Sequence, residues 1–455
     1  MDATTVVLMV GAVILLAFFF IAIILQKGFA IPLLILLPVL ELTKKILYLA
    51  NPYDPVRENA FILGVFQVVL VLLCLNSIIK PNFIAFSAKP VSIALIFWMV
   101  IGVASTFLGS NATFVAKVSG IAYVAIPAIA FLYIGSASDE RLNVDSFVSV
   151  GVTIGILSSL YAVFQLFVGM TPLEVEYALR AEPFSIGARW ISAHLAREDY
   201  WYCPSFFSSP GEFSQYILFA AGMVPAFLFD KAGLVKPAVV LTIALGGFCT
   251  GSRFTWLGLL VFAVAYSMFI RFGARPGVVM FTIAVAFVLS ALLPEFLIRY
   301  AEFSHGFEDR FFRRATTTGT LADRTGQIPA ASDALRKYPV LGKGYGVIDV
   351  LVGKFGEAEE VEENFSRHTW VVWSLVATGL LGTVCLVLFM YFFLVDMHSR
   401  FFLPNPRMQV LTASAGAYLF ASVIMALGGN TFLNPYFWLG TGVFAYAVNR
   451  EEASL

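Results

Sequence analysis

Long apolar runs alternate with short polar connections along most of the chain. Runs of about 15 to 25 residues can cross the hydrocarbon core of a bilayer as helices. Thirteen runs meet this rule, near residues 6–25, 29–42, 60–79, 91–109, 115–135, 146–169, 213–229, 235–250, 254–271, 276–294, 369–395, 408–427 and 432–448. The 29–42 run is short and is followed closely by Lys44 and Lys45, so it either spans the membrane or lies at its interface. The pattern therefore predicts an all-α polytopic membrane protein with about 12 or 13 transmembrane helices.

Composition supports this class of protein. The chain is 59% hydrophobic and 13% charged, with a mean hydropathy of +0.86, which is far more apolar than a soluble domain of 455 residues requires. The formal net charge is zero, so there is no electrostatic case for a nucleic-acid partner. The first run lacks a cationic leader and a small-residue cleavage site, which indicates a retained helix. We see no internal repeat or interdomain linker and expect one membrane domain over residues 1–455.

Basic residues in the short connections predict the orientation, because cytoplasmic loops carry an excess of lysine and arginine. They occupy alternate connections, at Lys27, Lys80, Lys89, Arg141, Lys231, Lys236, Arg271, Arg275, Arg400, Arg407 and Arg450. The opposite side holds two long loops, about 170–212 and 296–367, and the short turn that carries Arg253. We therefore expect these three segments to be extracytoplasmic.

Arg253 ends the sequence Thr250-Gly251-Ser252-Arg253 between two apolar runs. Its guanidinium either snorkels to lipid headgroups or binds an anion, since a planar fork can pair bidentately with phosphate oxygens. For the second alternative we expect the amides of Gly251 and Ser252, at the positive end of the following helix, to donate to the same anion.

The loop over 296–367 is the nearest feature to a subdomain. Ile328, Ala331, Leu335 and Tyr338 recur at helical spacing before Pro339, and Gly342 to Gly346 reads as a turn. Arg324 precedes this helix and either binds phosphate or forms a salt bridge with Asp323 or with the solvated acidic run 357–363. Arg189, in the first long loop, is a weaker candidate for anion binding.

His368 stands where the second long loop returns to the membrane, between Arg367 and Thr369. An imidazole there is either an interfacial aromatic side chain or a group that carries a proton near neutral pH. Glu212, in Ser209-Pro210-Gly211-Glu212, either caps the next helix or belongs to the site.

Metal and disulfide chemistry are not expected. The loop near 42–59 contains Asp54 but no pair of acidic residues at metal-binding spacing. The four cysteines, Cys74, Cys203, Cys249 and Cys385, share no ligand spacing, and only Cys203 falls in a loop.

Three blocks of sequence resemble the bacterial O-antigen ligase and polysaccharide polymerase superfamily. The first is Thr250-Gly251-Ser252-Arg253, and the second is Arg324 with the later Pro339-Val340-Leu341-Gly342-Lys343-Gly344. The third is His368-Thr369, then nine residues, then Gly379-Leu380-Leu381-Gly382, with threonine where the family usually has Asn, Ser or Gln. The resemblance covers about residues 207–390, including a looser match at 207–213.

The resemblance implies an inverting, metal-independent glycosyltransferase of the GT-C type, without a cofactor, in the bacterial inner membrane. Its donor would be a glycan on undecaprenyl pyrophosphate, used at the extracytoplasmic face. In this scheme His368 is the catalytic base, Arg253 and Arg324 bind pyrophosphate, and the secondary candidates are Arg189, Glu212, Arg367 and Thr369. The acceptor would be a glycan or a lipid, and polysaccharide export and chain-length proteins would be partners.

Three functions remain open on the sequence alone. A polymerase would join repeat units of an exported polysaccharide, whereas a ligase would move the finished glycan to a lipid A-core or protein acceptor. A lipid-linked-glycan transporter belongs to a different class. Transporters usually show internal repeats and charges near the midplane of the membrane, and this chain has few charges within its apolar runs.

The predicted orientation can be tested with a cysteine placed at Glu359. Because the 296–367 loop is expected outside the cytoplasm, Glu359→Cys should react with a membrane-impermeant thiol reagent in intact spheroplasts. Labelling that requires lysis would reverse the orientation.

Overall fold

The computed structural model describes residues 77–109, 114–137, 144–181, 203–207, 209–231, 233–284, 335–345, 370–426 and 434–453, together with ten further single positions. These ten are Pro38, Glu41, Leu42, Lys45, Leu70, Val71, Cys74, Leu75, Ile191 and Phe432. The predicted spans 6–25 and 29–42, and most of 60–79, lie outside the described residues.

Helices account for all the regular structure in these ranges. We number eleven of them α1 (Pro81–Ser87), α2 (Pro90–Leu108), α3 (Phe114–Gly135), α4 (Val144–Val168), α5 (Pro172–Ala181), α6 (Pro210–Phe227), α7 (Val235–Cys249), α8 (Arg253–Phe272), α9 (Trp370–Phe401), α10 (Pro406–Met425) and α11 (Pro435–Ala453). Residues 276–284 are also helical.

Five of the described helices are long and apolar enough to cross a membrane. They are Pro90–Leu108, Val144–Val168, Phe254–Phe272, Trp373–Phe401 and Pro406–Met425, and two shorter apolar helices cover Gly120–Gly135 and Val235–Cys249. The prediction of an all-α polytopic membrane protein is confirmed. The predicted total of 12 or 13 spans extends beyond the described ranges and stays a prediction.

Local sequence explains several of the helix starts. Proline occupies the first turn of α1, α2, α6 and α10, where its fixed φ suits the helix and its missing amide costs nothing. At the start of α10 the Asn405 side chain accepts hydrogen bonds from the amides of Arg407, at 2.9 Å, and Met408, at 3.3 Å. Such a cap satisfies amides that have no partner within the helix.

The central helix of the described bundle is α10. It packs against α6, α8, α9 and α11, and 83% of its most apolar stretch is buried inside the protein. By contrast, only 28% of the corresponding stretch of α8 is buried, so α8 lies at the periphery of the described bundle. Around this centre α2 packs on α9, α3 on α11, and α4 on both α6 and α7.

Several of the basic connections lie together at one end of the bundle. Lys89 and Arg400 both donate to Oδ1 of Asn449, at 2.8 and 2.7 Å, and Arg407 pairs with Asp145. At the other end the segment near 109 contacts that near 342, and the segment near 203 contacts that near 250. The alternation seen in the sequence thus separates two ends of one bundle, and the assignment of the basic end to the cytoplasm stays a prediction.

The structure adds two short helices that the apolar windows did not predict, α1 and α5. Both are shorter than a membrane crossing, so a rule based on span length passes over them. The helix after the second long loop also differs from the predicted 369–395. It continues to Phe401, and its regular geometry is interrupted at Gly379.

Candidate functional site

The interruption in α9 is a complete exchange of backbone hydrogen bonds. In a regular helix the amides of Leu380 and Leu381 would donate to the carbonyls of Val376 and Ala377. Here they donate to Pro339 and Val340, at 3.0 and 3.2 Å. The carbonyls of Val376 and Ala377 instead accept from the amides of Lys343 and Gly344, at 2.7 and 2.9 Å. We call residues 339–344 the clasp, because this segment replaces one turn of helix bonding.

Two glycines make the clasp sterically possible. Gly379 has φ +64° and ψ −167°, a region that is essentially restricted to glycine. A Cβ at Gly379 would lie 2.3 Å from the carbonyl oxygen of Val340, and one at Gly342 would lie 2.5 Å from the amide nitrogen of Gly379. The two backbones therefore approach more closely than any side chain would allow.

Tyr345 anchors the clasp in the core. Its amide donates to Oγ1 of Thr106 at 2.8 Å, and its fully buried ring stacks on Trp373 with centroids 5.9 Å apart. Ser105, also on α2, donates to the carbonyl of Ala377 at 2.7 Å. The clasp, within the second long loop, is thus fixed to both α2 and α9. Residues 335–337 are helical and a turn follows from Tyr338, in agreement with the helix predicted to stop before Pro339.

The start of α9 is held against the end of α10. The amide of Trp370 donates to the carbonyl of Ala426 at 3.2 Å, and its buried indole packs edge-on against Phe432 with centroids 5.4 Å apart. Trp370 follows His368 and Thr369 directly in the sequence. Arg367, His368 and Thr369 themselves lie outside the described residues, as do Arg189 and Arg324.

The turn before α8 has its own internal hydrogen bonds. The amide of Gly251 donates to the carbonyl of Phe248 at 3.1 Å, and the amide of Ser252 donates to Oγ1 of Thr250 at 3.2 Å. Both amides therefore have partners within the protein, and their donation to an anion stays a prediction. Ser252 is instead the N-cap of α8, with Oγ accepting from the amide of Thr255 at 3.4 Å.

The backbone of Arg253 begins α8, so the residue occupies the positive end of that helix as the sequence predicted. Trp256, one turn further, donates to the carbonyl of Gly247 at 3.1 Å and stacks on Phe248 with centroids 5.3 Å apart. These contacts fix the angle between α7 and α8 at the turn. Trp256 also carries a polar donor on an aromatic ring, the chemistry favoured at membrane interfaces.

The first long loop reaches this turn directly. The amide of Cys203 donates to the carbonyl of Cys249, the last residue of α7, at 3.0 Å. Burial raises the pKa of the Cys203 thiol to about 12, and all four cysteines are thiols in this structure. Further along, Ser209 caps α6. Its Oγ accepts from the amide of Glu212 at 3.2 Å and donates to the Glu212 carboxylate at 3.1 Å. Glu212 therefore takes part in the cap that Ser209 forms.

A buried polar cluster lies behind this loop. Lys45, which is 1% exposed, donates to the carbonyl of Ser205 at 2.9 Å and pairs with Glu174 at 3.4 Å. Gln165 donates to the same carboxylate at 2.7 Å, and Tyr161 donates to it at 3.2 Å. Burial lowers the pKa of Lys45, while Glu174, and more weakly Glu41 and Glu212, oppose that shift.

Two contacts bring the starts of α8 and α9 to the same place, the carboxyl-terminal end of α10. Gly258 is five residues after Arg253, and a Cβ built there would lie 3.5 Å from the side chain of Met425. Ala426, the next residue, binds the amide of Trp370. The end of α10 therefore joins the helix that begins at Arg253 to the helix that follows His368.

A family model described as O-antigen ligase matches residues 238–387. The match supports the superfamily that the sequence motifs indicated. A comparison with curated proteins finds no match.

The matched segment includes the Arg253 turn, the clasp and the break at Gly379. The polar cluster around Lys45 and Glu174 lies outside it, and sequence reasoning missed both residues. One signal was present: Thr171-Pro172-Leu173-Glu174 has the spacing of a capping box. The structure forms it, with the amide and hydroxyl of Thr171 each 3.0 Å from the Glu174 carboxylate.

We expect Gly379→Ala to destabilise the protein more than Gly233→Ala. Both glycines have φ +64°, so each substitution carries backbone strain of about 1–3 kcal/mol. Only Gly379 adds a clash, because a Cβ at Gly233 meets no atom within 4 Å. The measurement is the temperature at which half of the detergent-purified protein remains monodisperse after heating. Equal losses for the two variants would remove the clasp as the cause.

Proposed function

We propose that this protein is a glycosyltransferase that polymerises repeat units of an exported polysaccharide at the extracytoplasmic face of the inner membrane. Its donor is a glycan linked to undecaprenyl pyrophosphate. The observation that supports this proposal is that the end of α10 contacts both the helix that begins at Arg253 and the helix that follows His368. Arg253 and His368 both lie within the segment that matches the O-antigen ligase family model. An arginine at the start of one of these helices and a histidine that precedes the other in the sequence would supply the two chemical functions that such a transfer needs.

The reaction displaces pyrophosphate from an anomeric carbon. The acceptor hydroxyl attacks that carbon, the bond from the carbon to the pyrophosphate oxygen breaks, and the configuration inverts. His368 takes the proton of the acceptor hydroxyl, for which imidazole has a suitable pKa. Arg253 and Arg324 stabilise the negative charge that develops on undecaprenyl pyrophosphate as it leaves. Because arginine charges can serve this purpose, the proposed reaction uses no metal ion.

The secondary candidates have supporting positions in this proposal. Arg367 and Thr369 flank the base, and Arg189 belongs to the loop whose end reaches the Arg253 turn through Cys203. Glu212 is fixed by its contacts with Ser209, which favours a structural contribution over direct chemistry.

A ligase is the second candidate, and the description of the matched family favours it. Ligase and polymerase share the donor and the leaving group, so the same residues serve both. They differ in the acceptor, which is a lipid A-core or protein for the ligase and a second lipid-linked glycan for the polymerase. The family match supports glycan transfer over the transporter hypothesis.

The proposed function is tested by incubating the purified protein with undecaprenyl-pyrophosphate-linked repeat units in the presence of a chelator. A polymerase forms a ladder of longer lipid-linked glycans from this donor alone, whereas a ligase forms product only when its acceptor is added. His368→Gln keeps hydrogen bonding without basicity and should lose about 10²–10⁴-fold in rate. Full turnover by this variant would exclude His368 as the base, and no product from the wild-type protein with any acceptor would exclude the proposal.

The proposed role of Arg253 is tested by Arg253→Lys. If the guanidinium pairs bidentately with pyrophosphate, the lysine variant should lose most of the activity although the charge is kept, because an ammonium group is a point donor. The measurement is kcat/KM for the lipid-linked donor, on protein shown to be correctly inserted. If Arg253 only snorkels to headgroups, lysine will serve nearly as well and activity will be near that of the wild type.

A further inference from the structure

We infer that Lys45 is a positioning residue that holds the first long loop against the turn carrying Arg253. This role depends on the proposed function for its effect on catalysis, although the contacts that support it do not. Lys45 is distant in sequence from both of its partners, Glu174 and Ser205, and lies outside the matched domain. It therefore joins the amino-terminal part of the chain to the site.

The end of this connection at Ser205 is tightly specified. Ser205 has φ +55°, and it is the only residue other than glycine with a positive φ in the described ranges. Its carbonyl accepts from Lys45, its amide donates to Oε1 of Gln165 at 2.8 Å, and its hydroxyl donates to the carbonyl of Ser158 at 2.7 Å. A strained backbone conformation persists only where the surroundings determine it, and here every polar group of Ser205 has a partner.

The connection continues from Ser205 to the turn through the backbone. Cys203 is two residues before Ser205, and its amide satisfies the carbonyl of Cys249, the last residue of α7. The carbonyls at a helix end need partners from outside the helix. Thr250-Gly251-Ser252-Arg253 follows Cys249 directly in the sequence. A shift of the loop at Ser205 would therefore disturb the hydrogen bond to the carbonyl of Cys249, at the start of the turn that carries Arg253.

A buried ion pair contributes little net stability, because removing both charges from water costs free energy that their attraction only partly offsets. Neutral side chains of similar shape are often as stabilising, whereas removal of one partner leaves an uncompensated charge. The Lys45 ammonium binds the Glu174 carboxylate and the Ser205 carbonyl at the same time, so a single side chain joins both partners. It also faces Glu41 and Glu212 electrostatically, so it offsets negative charge in a region proposed to bind pyrophosphate.

The test uses the neutral double variant Lys45→Met, Glu174→Gln, which removes both charges and leaves no unpaired charge in the core. Met cannot donate to Ser205, so the loop should separate from the turn. The natural thiol of Cys203, which is 1% exposed, should then react with N-ethylmaleimide at least roughly tenfold faster than in the wild type. For the lipid-linked donor, kcat/KM should fall by about 10- to 100-fold, because small misplacements of a binding group have effects of this size.

Two controls separate local release from general unfolding. Cys74 is buried in the core and should stay protected in the double variant. Lys89→Met removes a part-buried lysine at the other end of the bundle, where it binds Asn449, and should leave both Cys203 labelling and kcat/KM unchanged. Modification at each cysteine is quantified by mass spectrometry of peptides.

The outcomes are distinct. Exposure of Cys203 with reduced kcat/KM and a protected Cys74 supports the inference. Continued protection of Cys203 overturns it, as does exposure of Cys74 as well, because the effect would then be global. Exposure of Cys203 with unchanged kcat/KM also overturns it, since Arg253 would not depend on the loop. A wild-type protein without turnover would defeat the proposed function, while the labelling would still decide whether Lys45 holds the loop.

Discussion

Backbone hydrogen bonding is the constraint on which the candidate site depends. Within a membrane, an amide or carbonyl that leaves its helix must find another partner inside the protein, because lipid offers none. At Gly379 four such groups leave the helix, and the clasp supplies a partner for each of them. The break in α9 and the clasp are therefore a single structural unit.

This unit explains why glycine is needed both at Gly342, in the clasp, and at Gly379, in α9. Gly342 and Gly379 lie far apart in the sequence, yet each is required to be a glycine by the backbone of the segment that contains the other. Tyr345 then carries the clasp into the aromatic core beside Trp98 and Trp373. The consequence for function is that the loop proposed to contribute Arg324 is fixed at the clasp to the helix that follows His368.

The first long loop reaches the same end of the bundle by different means. It uses a buried ion pair and a set of amide and hydroxyl contacts centred on Ser205, and the contact between Cys203 and Cys249 joins it to the Arg253 turn. The helices that begin at Arg253 and Trp370 both contact the end of α10, which is the most buried of the described membrane helices. A rigid centre with polar segments at one end suits a transferase whose lipid-linked donor remains in the bilayer.

The sequence by itself determined the class of the protein, the places of most described spans, and the separation of basic connections from long loops. These properties depend on local composition and on the length needed to cross a bilayer, so they can be recognised without knowing which helices touch. The motifs around Arg253, Gly342 and His368 likewise indicated the family that the domain match supports.

Only the tertiary structure decided how those motifs are arranged. Whether the amides of Gly251 and Ser252 were available depended on the path of the turn, and the importance of Lys45 depended on partners more than a hundred residues away. The break at Gly379 was equally hidden, because a glycine in an apolar run is compatible with a continuous helix. For Lys45 and for the break at Gly379 the deciding hydrogen bonds join residues that only the folded chain brings together, and no local pattern records which partner those groups will find.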